Sequence, residues 1–338
     1  MRIGMGLLGV LSVLLTGEAG AQQLQLQEWT VPWGNGRPRD PFVAPDGRVW
    51  FVGQAGNYIA VLDPTSGVFR RYEIDPGTYP HNLIVAPDGM VWYAGNQIGM
   101  IGRLDPRDGA ITRYPMPAGD LTDPHTQVFD RAGNIWFTMQ SSNAIGFLTV
   151  RTGEVRVVRL PSPGSRPYGI GLDGKGRPWF AEFGANRIGT VDPVSFTLKE
   201  YSVPDRGSRP RRLVVAADDR VYVTDYARGK LVRLDPATGA FAEWQNPAGG
   251  RSAPYAMAGD DQGGIWQVET GVQPNRLVSF DPATERFGTP VPIVGSGGVV
   301  VRHMIFDRGS RSLWFGTDAG TIGRARLGPA RDGAAAVP

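Results

Sequence analysis

Three histidines and two arginines occupy one repeated position in this chain. Counting eleven residues back from a series of strand-central aromatics gives Arg39, His81, His125, Tyr168, Arg211, Tyr255 and His303, so every histidine of the protein falls at the counted position. Neutral imidazole offers one donor and one acceptor and titrates near neutral pH, which suits it to ligand binding or to proton abstraction. In six of the seven copies the preceding residue is proline, which fixes the entry into a strand and lacks an N–H for the ladder. Equivalent places on the following strand hold Gln54, Asn96, Gln140 and Asp318 in one group, and Phe183, Tyr226 and Thr270 in the other. Pairing across the hairpin is expected to bring Gln140 opposite His125. One residue earlier, Glu182, Asp225 and Glu269 should point to the other side of their strands, as groups that hydrogen-bond between neighbouring units.

These positions depend on a repeat. Trp50, Trp92, Trp136, Trp179, Tyr222, Trp266 and Trp314 recur at intervals of 42 to 48 residues. A tight turn precedes the aromatic (APDG at Ala44 to Gly47 and Ala86 to Gly89), and a strand such as IGRLDP (Ile101 to Pro106) and an alternating strand such as ITRYPMP follow it. Four strands per repeat and seven repeats predict an all-β, seven-bladed β-propeller. The last copy stops after its third strand, at Leu327, while Glu28 to Pro32 is an orphan strand resembling Glu200 to Pro204. The N-terminal strand is therefore expected to complete the last blade and remove the open edge, which a linear solenoid would not require. In such a ring, His303, Arg39, His81 and His125 lie on one arc around a channel mouth.

Composition agrees with many short strands: 47 Gly, 28 Pro and 41% hydrophobic residues in 338. The formal charge of +3, without a Lys/Arg run, argues against nucleic acid. Arg2, the apolar Ile3 to Leu15 and the small residues Ala19 and Ala21 predict a signal peptide over 1–21, hence a periplasmic or secreted protein. Residues 22–328 are expected to form one domain, and 329–338 a flexible tail. No other segment is long and apolar enough to span a membrane, and a monomer is expected. The absence of cysteine excludes disulfides and thiolate chemistry.

Copies such as RPYGIGLDGKGRPWFAEFGANRIGTVDP (Arg166 to Pro193), with the YPH at Tyr79 to His81, the DPH at Asp123 to His125 and the WFTMQ at Trp136 to Gln140, resemble the virginiamycin B lyase (streptogramin lyase) family over nearly all of the mature chain. The resemblance implies opening of a cyclic depsipeptide or ester by β-elimination. His125 would be the general base and His81 a substrate contact. Asp123 and Gln140 would stand where the family places two magnesium-ligating glutamates. Aspartate keeps the charge with a shorter reach, whereas the amide of Gln140 weakens a Mg2+ site, because magnesium prefers anionic oxygen. Arg39 could then supply charge stabilisation in place of the metal, and Arg39 and His303 join the substrate-binding set. The alternative is a non-catalytic propeller that binds a small-molecule, peptide-like or protein partner at the same mouth. A gluconolactonase-like metal hydrolase lacks the converging carboxylates it would need.

Overall fold

The computed structural model describes residues 11–14, 24–119, 121–295 and 299–328. Its strands form seven antiparallel sheets arranged as the blades of a propeller. Blade 1 consists of Pro38–Val43, Val49–Gly53, Tyr58–Asp63 and Val68–Glu73 from the axis outward, and the same order repeats around the ring. In blade 6 the outermost strand is broken into Arg286–Phe287 and Val291–Pro292.

The strand-central aromatics recur because each must fill the space between sheets. Trp50, Trp136, Trp179 and Trp314 are almost wholly buried. Each meets a ring further out: Trp50 lies 5.3 Å from Tyr72, Trp92 5.2 Å from Tyr114, and Trp179 5.7 Å from Tyr201. The next residue points to the other face and covers a glycine on the third strand. Thus Tyr93 pairs with Gly102, Phe137 with Gly146 and Phe180 with Gly189, where an added Cβ would lie 2.2, 2.1 and 2.3 Å from the ring. Only glycine permits that approach, which accounts for the recurring Ile-Gly pair.

Closure follows the expected route. Gln25–Thr30 pairs antiparallel with Thr321–Arg326, in a register that sets Trp29 against Ile322. Trp29 stacks on Trp314 at 5.5 Å, and Thr321 donates a hydrogen bond of 2.7 Å to Glu28. The expected signal peptide lies outside the described residues, apart from Leu11–Leu14, which pairs with Gln25–Thr30 as a further strand. The expected tail, 329–338, also lies outside them. Among the described residues no helix is long and apolar enough to cross a membrane.

The innermost strand of every blade is interrupted by a bulge immediately after its first residues. In blade 3, Pro124 pairs with Met139 and Gln127 with Phe137, so His125 and Thr126 together oppose Thr138. Equivalent shifts occur in the other six blades. A bulge of this kind re-aims side chains that strict alternation would send to opposite faces.

Glu182 and Glu200 form an acidic pair inside blade 4. Burial, reinforced by the like charge of Glu200, pushes the carboxyl of Glu182 up to about 8, from an ordinary value of 4.5. A carboxyl raised in the folded state favours the protonated protein, so this stability is complete below pH 4.5 and disappears as pH rises through about 8. Glu182→Gln should therefore melt like the wild type near pH 5 and higher than it at pH 9, measured by circular dichroism. Deletion of Gln25 to Thr30 should abolish the sharp thermal transition by reopening blade 7; a cooperative melt within a few degrees of the intact chain would refute the closure argument.

Candidate functional site at the channel neck

The entry residues converge on the axis in two tiers. The outer tier comprises Arg39, His81, His125, Tyr168, Arg211, Tyr255 and, in blade 7, Arg302. His303 is a correction to the eleven-residue count: Val301 pairs with Thr317, and the blade 7 hairpin holds one residue more than that of blade 2. His303 thus falls in the inner tier, with Asp40, Asn82, Thr126, Gly169, Arg212 and Ala256. The expected pairing of Gln140 with His125 is corrected by the bulge in the same way. Gln140 follows Met139, the partner of Pro124, and so lies beside Asp123.

The two histidines of blades 2 and 3 do meet. The rings of His81 and His125 lie 3.4 Å apart at 31°, with Tyr168 4.4 Å from His125. They are 5% and 2% exposed, so they stand within a closed neck rather than in open solvent. Burial, followed by the charges of Arg39 and Arg212, holds both imidazoles well below their usual range. Burial takes His303 down to about 3, despite the nearby carboxylate of Asp40. All three rings are therefore neutral at pH 7.

Thr126 links His125 to Arg212. The guanidinium of Arg212 donates to Thr126 Oγ1 at 3.2 Å, and the same oxygen lies 2.9 Å from His125 Nδ1. Arginine can only donate, so Thr126 Oγ1 accepts from Arg212, and its remaining lone pair and its proton let it pair with His125 Nδ1 in either tautomer of the ring. Nε2 is buried and has no partner.

Residues that spacing did not single out hold the inner tier together. Asp40, fully buried, accepts from Arg39 Nε at 3.0 Å, Asn82 Nδ2 at 3.1 Å and, at 3.5 Å, Arg212 Nη2. Arg212 also reaches the carbonyl of Arg302, and Asn82 accepts the backbone N–H of Gln127. The available signal was a run of polar residues (Asp40, Asn82, Thr126, Arg212) at the third position of the innermost strands, directly after the counted one. Further out, Arg39 donates to Gln54 at 3.0 Å, and Arg302 forms a fork on Asp318 at 2.6 to 3.1 Å. Asp225 and Glu269 accept backbone N–H groups, of Arg209 and Ala248 respectively, as groups tying loops to their blades.

The donor set for magnesium does not assemble. Both carboxylate oxygens of Asp123 are engaged by the Gln140–Asn143 turn: Ser142 N donates to one at 2.9 Å, Ser142 Oγ to the same oxygen, and Ser141 N to the other. Gln140 adds only an amide. Among the described residues, no group of three His, Cys, Asp or Glu side chains could hold a metal ion. A concavity of about 570 Å³ lies at the opposite face, around the hairpin turns. Its Asp173 and Asp260 accept turn N–H groups and bond to Trp179 and Trp266, which is a structural role.

The Virginiamycin B lyase family profile matches residues 18–277. A streptogramin B lyase structure superposes with a TM-score of 0.81 at 26% identity, covering 90% of this chain and 98% of that one. Virginiamycin B lyase from Staphylococcus aureus gives the same score and identity over 90% and 100% of the two chains. Its catalytically inactive histidine variant, solved with quinupristin, matches at 25% identity, with a TM-score of 0.81 and the same coverage. Hydrazine synthase from Kuenenia stuttgartiensis shares the fold, with a TM-score of 0.72 at 13% identity, 90% of this chain and 98% of that one being covered. No curated protein matches.

If Asp123 caps a turn, Asp123→Asn should cost about 1–2 kcal/mol in urea unfolding, equally with and without magnesium. A magnesium-dependent midpoint in the wild type that the variant loses would instead make Asp123 a metal ligand.

Proposed function

Because the chain belongs to the virginiamycin B lyase family yet employs that family's site positions differently, we propose that it is a non-catalytic propeller that binds a small ligand at the histidine mouth. The observation that carries this reading is the turn that takes up both oxygens of Asp123, the residue at the position the family resemblance gives to a metal ligand. A general base must present a lone pair to the substrate C–H, and its efficiency falls as its pKa drops below the working pH. Burial and two arginines keep the ring of His125 weakly basic, which suits ligand recognition better than abstraction of a proton.

The metal-assisted route is unsupported for a separate reason. Elimination of that kind needs a cation to stabilise enolate charge, and here the one carboxylate at the corresponding position closes a turn. No step is therefore assigned to a metal. The lyase reading retains one specific support, the stacked His81–His125 pair in successive blades, at the positions the family resemblance assigns to substrate contact and base. Export to the periplasm or beyond the cell and a monomeric state remain part of the proposal, resting on the N-terminal sequence pattern and on the closed ring.

Gln140→Glu distinguishes the two readings. On the binding reading the variant neither takes up magnesium in calorimetry nor opens quinupristin, because Asp123 remains engaged with Ser141 and Ser142. Magnesium-dependent ring opening by the variant, abolished by adding His125→Ala, would overturn the binding reading and restore the lyase.

A further inference from the structure

Around the axis four guanidinium groups (Arg39, Arg211, Arg212 and Arg302) face two carboxylates, Asp40 and Asp318. Arg302 is matched by Asp318, while Arg39 and Arg212 share Asp40. Arg211 has no carboxylate partner among the described residues. It is held instead by aromatic faces: its guanidinium carbon lies 3.5 Å from the ring centre of Tyr255, 4.3 Å from Tyr226, 4.5 Å from Phe183 and 5.1 Å from Tyr168. The neck thus carries two positive charges in excess, on groups that do not deprotonate.

The unpaired atoms point the same way. Arg39 Nη2 and Arg211 Nε are buried donors without an acceptor, and Arg39 is only 4% exposed. His125 Nε2 is a third buried polar atom without a partner. A buried polar atom without a partner costs free energy, and all three belong to the outer tier of one neck. Arg39 and Arg211 both act on the hydrogen-bonded phenol pair Tyr168–Tyr255, which locates them around the same point.

We propose that the histidine mouth contains a carboxylate-binding subsite formed by Arg211 and Arg39, in which an anionic small molecule supplies the missing acceptors and lays its apolar body on Phe183 and Tyr226. This rests on the binding reading of the same mouth. Aromatic faces above and beside a guanidinium leave its N–H edge free for an in-plane, two-pronged acceptor, the geometry a carboxylate offers. The cage also fixes the arginine before the ligand arrives, which reduces the ordering cost of binding. Phe183 and Tyr226, partly exposed and 5.9 Å apart, offer the adjoining apolar surface. A tetrahedral phosphate would satisfy the charge but leave that surface unused.

The test uses the full-length protein with benzoate, acetate and inorganic phosphate as probes, by calorimetry at low and high salt. Benzoate should bind saturably, more weakly at high salt, and about tenfold or more tighter than acetate or phosphate. Arg211→Met should weaken benzoate by about tenfold or more. Phe183→Ser should weaken benzoate by a larger factor than acetate, because it removes the adjoining apolar surface as well as one of the faces around Arg211. A spectroscopic readout accompanies these: the phenol of Tyr168, which burial would raise but Arg39, Arg212 and Arg211 bring down to about 8, should titrate at higher pH when benzoate is bound. Absence of benzoate binding, phosphate binding tighter than benzoate, or an unchanged isotherm in Arg211→Met would overturn the subsite. Quinupristin opening by Gln140→Glu would overturn the binding reading, whereas the benzoate isotherm decides the subsite by itself.

Discussion

Asp40 is the group on which the neck depends. It is the single acidic residue in the two tiers of side chains at the axis, fully buried, and its backbone takes a left-handed φ of 49° immediately before Pro41. An aspartate tolerates that conformation better than most residues, but at some cost. Burial alone would favour its neutral form, yet Arg39 and Arg212 hold it well below the usual carboxylate range. Through it, blade 1 is tied to Asn82 of blade 2 and to Arg212 of blade 5, across the channel. A buried charge with one partner removed is strongly destabilising, so the cluster stands or falls as a unit.

The ring was legible because its signals are local and repeated. A tryptophan every 42 to 48 residues, an Ile-Gly pair on the next strand and a strand without a blade at the N-terminus each have one physical explanation, and all of them agree. The neck was less legible. A count from the aromatic assumes hairpins of equal length, and the extra residue before Ser312 moved His303 inward and placed Arg302 in its stead. The bulge after each entry residue leaves no mark in the sequence, so strict alternation wrongly set Gln140 across from His125. The contact between Asp40 and Arg212 joins residues 172 positions apart and arises only when the ring closes.

Family membership and site chemistry separate at Asp123. The fold matches the streptogramin lyases over 90% of this chain, yet fold alone does not determine what a mouth does. Here the residue at the metal position has acquired a local task. Its two oxygens accept from the turn that follows Met139, and Gln140 stands beside it without charge. A short carboxylate drawn onto three donors of a turn has little freedom to reach a cation, so the structural role competes with a metal-binding one.

The same reasoning explains why three histidines can be neighbours here without acting as a pH switch. Two imidazoles at 3.4 Å could not both be charged, and the surrounding arginines oppose even the first protonation. Their neutrality is therefore imposed by burial and reinforced by guanidinium groups that keep their charge throughout the physiological range. Tyr168 is the exception: burial raises its phenol, but the arginines that suppress the histidines stabilise its phenolate and bring it down to about 8. The neck thus holds its positive charge constant while its histidines remain neutral donors and acceptors. That combination is suited to capturing an anion without exchanging a proton with it.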